Sequence, residues 1–169
     1  MITLINQISE FCGKLAAWMF FIIASMITYE VVARYVFLAP TIWAEEMSQF
    51  FQIWATYIAA AFVLKHRKLI SIDTLVSHFS PRTQWFFELF SLLVIALFCA
   101  VAVYYGSAIL NESIQVGRST STMLAVPKWM TESAIPVGFS LLLLQTIVEI
   151  SQHISNPEQA QAISGDIDI

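Results

Sequence analysis

The sequence predicts an all-α membrane protein with four transmembrane helices and a short interfacial amphipathic helix between the second and third. Three observations carry this prediction. Of the 169 residues, 58% are hydrophobic and only 12% are charged, whereas a soluble domain carries roughly twice that charged fraction. Mean hydropathy is +0.73. Four apolar runs each approach or exceed the ~20 residues that a helix rising ~1.5 Å per residue needs to cross a hydrocarbon core about 30 Å thick.

The first predicted span runs from about Phe11 to Phe37, with Glu30 and Arg34 near its far end. Glu10 and Lys14 flank its start and no clear small-x-small cleavage site follows, so the run reads as a retained helix rather than a signal peptide. The second, about Trp43 to Leu64, is free of charge after Glu46. The third, about Gln84 to Leu110, has no charge between Glu88 and Glu112. The fourth, about Pro127 to Ile150, opens on a proline, which suits a first helical turn because its missing N–H costs nothing there. Pro136 inside it removes a ladder hydrogen bond and predicts a bend. Trp18, Trp43, Trp85 and Trp129 fall near predicted boundaries, where indoles prefer the interface, and Trp54 falls mid-span. Residues 1–155 thus form one membrane domain, and residues 156–169 read as a flexible tail.

Charge sets the expected orientation. Lys14, Lys65, Arg67, Lys68 and Arg82 share one side of the membrane, against Arg34, Arg118 and Lys128 on the other. Short loops rich in Lys and Arg stay cytoplasmic, so both termini are expected in the cytoplasm. Within the central loop Ile72, Leu75, Val76 and Phe79 follow one helical face. Ser71 as N-cap and Asp73 in the first turn support a helix there, which Pro81 ends. Such a segment suits the headgroup plane.

Several polar residues fall inside or beside the spans. Glu30 and Arg34 are four apart and meet on one helix face, either as an ion pair that fixes packing or as a contact to a partner subunit. Glu45 and Glu46 favour the positive end of the second helix. Glu45, Gln49, Gln52 and Thr56 then continue as a polar stripe, followed by Ala59 or Ala60. Facing lipid, its amides would go unsatisfied, so the stripe is expected to face protein: this chain's other helices or a partner, with Arg34 near Glu45 or Glu46. In the third helix Ala96-x-x-x-Ala100 and Ala102-x-x-x-Gly106 have spacings that permit close backbone approach.

The sequence offers no constellation for catalysis or cofactor binding. It has no Gly-rich phosphate loop, metal-spaced Cys/His set or nucleophile with a partner base. Cys12 and Cys99 lie far apart in apolar context and read as buried free thiols. His66, His78 and His153 fall at or outside span ends, poorly placed as haem ligands within a bundle. The net charge of −4 draws partly on Glu158, Asp166 and Asp168 in the tail and suggests no nucleic-acid surface.

Read in order, Arg34-Tyr35-Val36-Phe37, Pro40, Trp43-Ala44-Glu45-Glu46, Lys65-His66-Arg67-Lys68, Ile72-Asp73, Ser80-Pro81-Arg82 and Pro127-Lys128-Trp129, with Pro136 and Gly138 beyond, carry a resemblance. The chain resembles the small membrane subunit of tripartite ATP-independent periplasmic (TRAP) transporters over about Arg34 to Ile150. It departs from that pattern in lacking a glycine near Arg67-Lys68-Leu69 and in having Ala59-Ala60-Ala61 where a glycine is often seen.

The resemblance implies a bacterial inner-membrane protein that braces a large transport subunit, which itself binds substrate and sodium and moves them by an elevator motion. It implies a periplasmic binding protein that captures an organic acid of the dicarboxylate or sialic-acid type, and no cofactor. The loops at about Leu38 to Thr41 and Asn111 to Val126, with Arg118 and Lys128, become candidate contacts for that capture protein. Two other readings stay open from the residues: a self-contained oligomeric channel or carrier, and a membrane anchor of a redox complex.

Overall fold

In hydrocarbon a backbone satisfies its own N–H and C=O groups only as a helix or a closed barrel, and the four apolar runs fold as helices. A computed structural model describes residues 2–66, 81–122 and 124–155. The long helices are α1 (Ile2–Tyr35), α2 (Trp43–Lys65), α3 (Pro81–Val116) and α5 (Ala134–Ser155), with a single-turn α4 (Trp129–Glu132) just before α5. Among the described residues four segments are long and apolar enough to cross a membrane, the last being α4 and α5 together. The interfacial helix expected over residues 72–79, with Arg67, Lys68 and Asp73, and the tail of residues 156–169 lie outside the described residues.

The helices run longer than hydropathy alone places them. α1 starts at Ile2 rather than near Phe11, and its 34 residues make a rod of about 51 Å. The ends therefore extend past the hydrocarbon. Pro127 lies outside the fourth helix: it pairs with Ser119 in an isolated bridge, and helix begins at Trp129. The helix breaks at Ser133, between α4 and α5. Pro136 has no N–H for the carbonyl of Glu132, so the regular ladder stops there and restarts with Val137 N–H donating to Ser133 O at 3.3 Å. At the end of α3, Gly117 takes φ +64° and Arg118 N–H donates back to Ser113 O at 3.1 Å, a left-handed cap of the kind glycine permits.

Packing is ordered α1–α2–α5–α3, with α1 also touching α5 lightly and α3 packing along α5 and α4. This arrangement is an open row. The two outer helices each offer one narrow seam. On α1 the inward residues are Ser9, Cys12, Ala16, Met19, Ile23, Met26, Glu30 and Ala33, alternating by three and four. On α3 the buried residues Leu92, Cys99, Gly106 and Ser113 recur every seven. Both are the 3.5-residue repeat of left-handed helix packing. The Ala96-x-x-x-Ala100 spacing is not such a contact, since Ala100 is exposed; Gly106 of the other spacing faces Ile135 and Pro136. Cys12 and Cys99 are buried and free.

Small residues set the closeness of approach. Cys12 and Ala16 meet Ala55 and Ile58 in the α1–α2 core, with Met19, Trp54, Ala59 and Leu141 around them. A methyl group on Gly13 would overlap the Phe62 ring. One on Gly138 would lie 2.5 Å from Tyr57 Cβ and 2.9 Å from Tyr57 O, so α5 sits almost directly on the α2 backbone. Phe139 then wedges between Tyr57 and Phe98, edge-on to both rings at centroid distances of 5.6 Å, and ties α3 to the pair.

A polar network binds the row at the end holding the N-terminus of α1. Gln145, fully buried on α5, accepts from Ser9 Oγ at 2.7 Å and donates to Asn6 Oδ1 at 3.2 Å and Glu149 Oε1 at 3.0 Å. Lys65 Nζ reaches from α2 to Asn6 O at 3.2 Å and Glu10 Oε1 at 2.7 Å, and His66 Nε2 lies 2.7 Å from the same Glu10 oxygen. Beside them Trp85 and His153 stack at 5.2 Å; Trp85 Nε1–H donates to His153 O at 3.4 Å and His153 Nε2 meets Trp85 O at 3.2 Å.

Two substitutions separate these contributions from a control. Gly138→Val is expected to destabilise the detergent-solubilised chain by about 1–3 kcal/mol through overpacking against Tyr57 backbone, while the control, Ala100→Val on the open face of α3, stays near neutral. Gln145→Leu strands Ser9, Asn6 and Glu149 and is expected to cost about 1–3 kcal/mol. Chemical denaturation followed by circular dichroism measures all three; equal midpoints for Gly138→Val and Ala100→Val would rule out the close α2–α5 approach.

Candidate subunit interface

At the opposite end of the row, Glu30 carries the densest set of contacts. It is buried on α1, one turn before Arg34. Its Oε1 accepts from Arg34 Nε at 3.1 Å and Nη2 at 2.7 Å. Its Oε2 accepts from Thr41 N–H at 2.9 Å and from the Thr41 hydroxyl. The carboxylate is thus used within the chain, where it ties the end of α1 to the segment that starts α2. Arg34 remains about half exposed. Glu45 is near enough to add a weaker Coulomb attraction, but the direct partner is Glu30.

Between these helices the chain turns through Leu38, which has φ 53°, an uncommon conformation for a residue with a side chain. Leu38 is 84% exposed, and Val36 and Phe37 beside it are also open. The α3–α4 connection lies at the same end. It is closed by Lys128 N–H to Arg118 O at 2.9 Å and Thr120 N–H to Val126 O at 2.9 Å. Arg118 is paired with Glu112, whereas Lys128 is half-buried with its backbone in the turn. The two cations expected to meet a partner therefore differ: one is already engaged by a carboxylate.

Glu46 reaches across to this connection, accepting from Leu124 N–H at 3.4 Å. Its other oxygen, Oε2, is buried with no hydrogen-bond partner among the described residues, as is Glu132 Oε2. Trp54, the mid-span tryptophan, donates its indole N–H to Met130 O at 3.0 Å. That bond takes up a carbonyl near the α4–α5 break and explains an indole away from the membrane boundary.

The polar stripe of α2 points outward. Glu45, Gln49, Gln52 and Thr56 are all exposed, and with Trp43 they are the exposed residues of α2. The helix instead buries Ala44, Ser48, Ala55, Ile58, Ala61 and Leu64. Thr56 returns its hydroxyl to Gln52 O at 2.8 Å; the Gln49 and Gln52 amides have no hydrogen-bond partner among the described residues. Packing against the chain's other described helices, one of the two expected fates of this stripe, is therefore not what the fold shows. The outward faces of α1 and α3 look quite different, with Phe11, Trp18 and Phe21 on one and Phe90, Val94 and Leu97 on the other.

Of the basic residues expected to anchor orientation, Lys65 is engaged by Glu10 and Asn6 and Arg82 is exposed at the start of α3. The Gln145 network is absent from the residues that sequence reasoning selects. Its signal is there, however: Gln145, Glu149 and His153 recur every four residues in a mostly apolar helix, as one polar line facing inward.

Comparison with known proteins matches most of the chain, from within α1 to the end of α5. Residues 23–156 fit the family model described as tripartite ATP-independent periplasmic transporters, DctQ component. The chain is 26% identical over 148 residues to the isethionate TRAP transporter permease protein DctMQ of Oleidesulfovibrio alaskensis, covering 83% of this chain and 23% of that protein. It is 29% identical over 101 residues to the C4-dicarboxylate TRAP transporter small permease protein DctQ of Rhodobacter capsulatus, covering 60% of this chain and 44% of that protein. The chain thus spans less than half the length of either relative. With a family match over most of its length and four membrane-crossing segments, this multi-pass membrane chain belongs to the DctQ family, the small, non-catalytic permease component of the tripartite ATP-independent periplasmic transporters.

Proposed function

We propose that the chain is the bracing subunit of a sodium-coupled importer of small organic acids in a bacterial inner membrane. It holds a larger transport subunit and helps dock a periplasmic binding protein. The observation that supports the bracing role is where its internal polar groups go. Gln145, Ser9, Asn6, Lys65, Trp54 and Trp85 each bond to another helix of the chain, so they fasten the row instead of lining a path for a solute.

The relatives' names, which specify isethionate and a C4-dicarboxylate, support the proposed substrate class; both are small organic anions. The sialic-acid alternative rests on the family resemblance alone. Both termini are assigned to the cytoplasm from the clustering of Lys14, Lys65 and Arg82 at one end, by the positive-inside rule. The Leu38 turn and the Arg118–Lys128 connection then face the periplasm, where exposed Val36, Phe37 and Leu38 offer an apolar contact for the binding protein.

Two measurements test this reading. Deleting the chain while retaining the large subunit and binding protein is expected to abolish sodium-dependent uptake of labelled dicarboxylate or isethionate, with recovery on re-expression; undiminished uptake would refute the bracing role. For orientation, Ser121→Cys is expected to react with a membrane-impermeant maleimide in intact cells and Thr3→Cys only after lysis. Native Cys12 and Cys99 are buried and give a low background. The reverse labelling pattern would overturn the assignment.

A further inference from the structure

The open face of α2 has chemistry that lipid cannot serve. Counting from Trp43 at ~1.5 Å per residue, Gln49 lies roughly 9 Å, Gln52 roughly 14 Å and Thr56 roughly 20 Å along the helix, within a hydrocarbon core about 30 Å thick. Thr56 has satisfied itself against Gln52 O. The two amides have not, and each would cost on the order of a few kcal/mol if left facing acyl chains. Glu45 continues the face toward the membrane boundary and is exposed. The face is polar, continuous along about three turns and unoccupied by any described helix.

We propose that this face, carrying Glu45, Gln49, Gln52 and Thr56, is where the large transport subunit seats within the membrane. The large subunit is further proposed to present hydrogen-bonding groups, hydroxyls, amides or unwound backbone, to Gln49 and Gln52. The proposal rests on the reading of the chain as a subunit of a larger transporter. The relative from Oleidesulfovibrio alaskensis supports that occupant, because the region matching this chain takes up 23% of a single polypeptide named DctMQ. In that protein the counterpart of α2 and the remaining length, more than three times as long as the matched region, are one polypeptide. A second copy of this chain fits less well. Two copies inserted with the same orientation would bring Glu45 against Glu45 if their stripes met, and like charges disfavour that pairing.

The test uses the native complex. A photo-crosslinking benzoylphenylalanine replacing Gln52 is expected to yield an adduct between this chain and the large subunit, while the same residue replacing Leu97, on the open apolar face of α3, yields none. In parallel, Q49L/Q52L is expected to lower recovery of the large subunit with the tagged chain by roughly tenfold, with the helicity and denaturation midpoint of the isolated variant unchanged. A Gln52 crosslink to a second copy of this chain, or to lipid alone, overturns the proposed seat and leaves the subunit reading standing if the complex still co-purifies. A wild-type chain that never co-purifies with a larger membrane protein overturns both.

Discussion

The constraint on which this structure depends is the absence of water from the bilayer interior. Every polar group placed there must find its partner in protein. Glu30 does so through Arg34 and Thr41, and thereby fixes how α1 hands over to α2. Gln145 does so through Ser9, Asn6 and Glu149, which sets α5 against α1. Trp54 finds Met130 O at the break before α5. Taken together, these bonds lock one end of the row by a buried amide and the other by a carboxylate, with small apolar residues between.

Those small residues matter because lipid removes the usual driving force for packing. Acyl chains are as apolar as leucine, so helices associate through close van der Waals fit and hydrogen bonds instead. Gly138 against the backbone of Tyr57, Gly13 beneath Phe62 and Gly106 beside Ile135 are where that fit is tightest. The 3.5-residue seams of α1 and α3 keep such contacts aligned over many turns. Each outer helix has one seam and a broad apolar back, so most of its surface lies outside the row.

The same constraint explains what the sequence could and could not disclose. The four spans were legible because length and hydropathy are all that crossing requires. Glu30 and Arg34 were legible as a pair because spacing by four puts them on one face; that Thr41 completes the site was not, since a turn brings it back. The seams were hidden. When both sides of a helix are apolar, an outward residue such as Leu97 and an inward one such as Leu92 look alike in composition, and Ala96-x-x-x-Ala100 reads as an interface although Ala100 is exposed. Pro127 looked like a helix start because proline suits that position, but its bridge to Ser119 holds it in the loop. Pro136 did mark an irregularity, displaced toward Ser133 because the missing bond is the one to the preceding turn.

The polar stripe of α2 was legible as a stripe, and only the fold could say which way it faces. Its outward direction bears on how the proposed brace would work. Apolar contacts between helices compete with lipid on nearly equal terms and permit sliding and rotation. Hydrogen bonds in a medium of low dielectric are directional and costly to leave unmade. Two amides about one turn apart, with a carboxylate nearer the boundary, would set both the depth and the rotation of whatever packs on them. On the proposed reading, a subunit whose internal polar groups largely close on one another, and which presents two unpaired amides on one face of α2, holds a neighbour in register there.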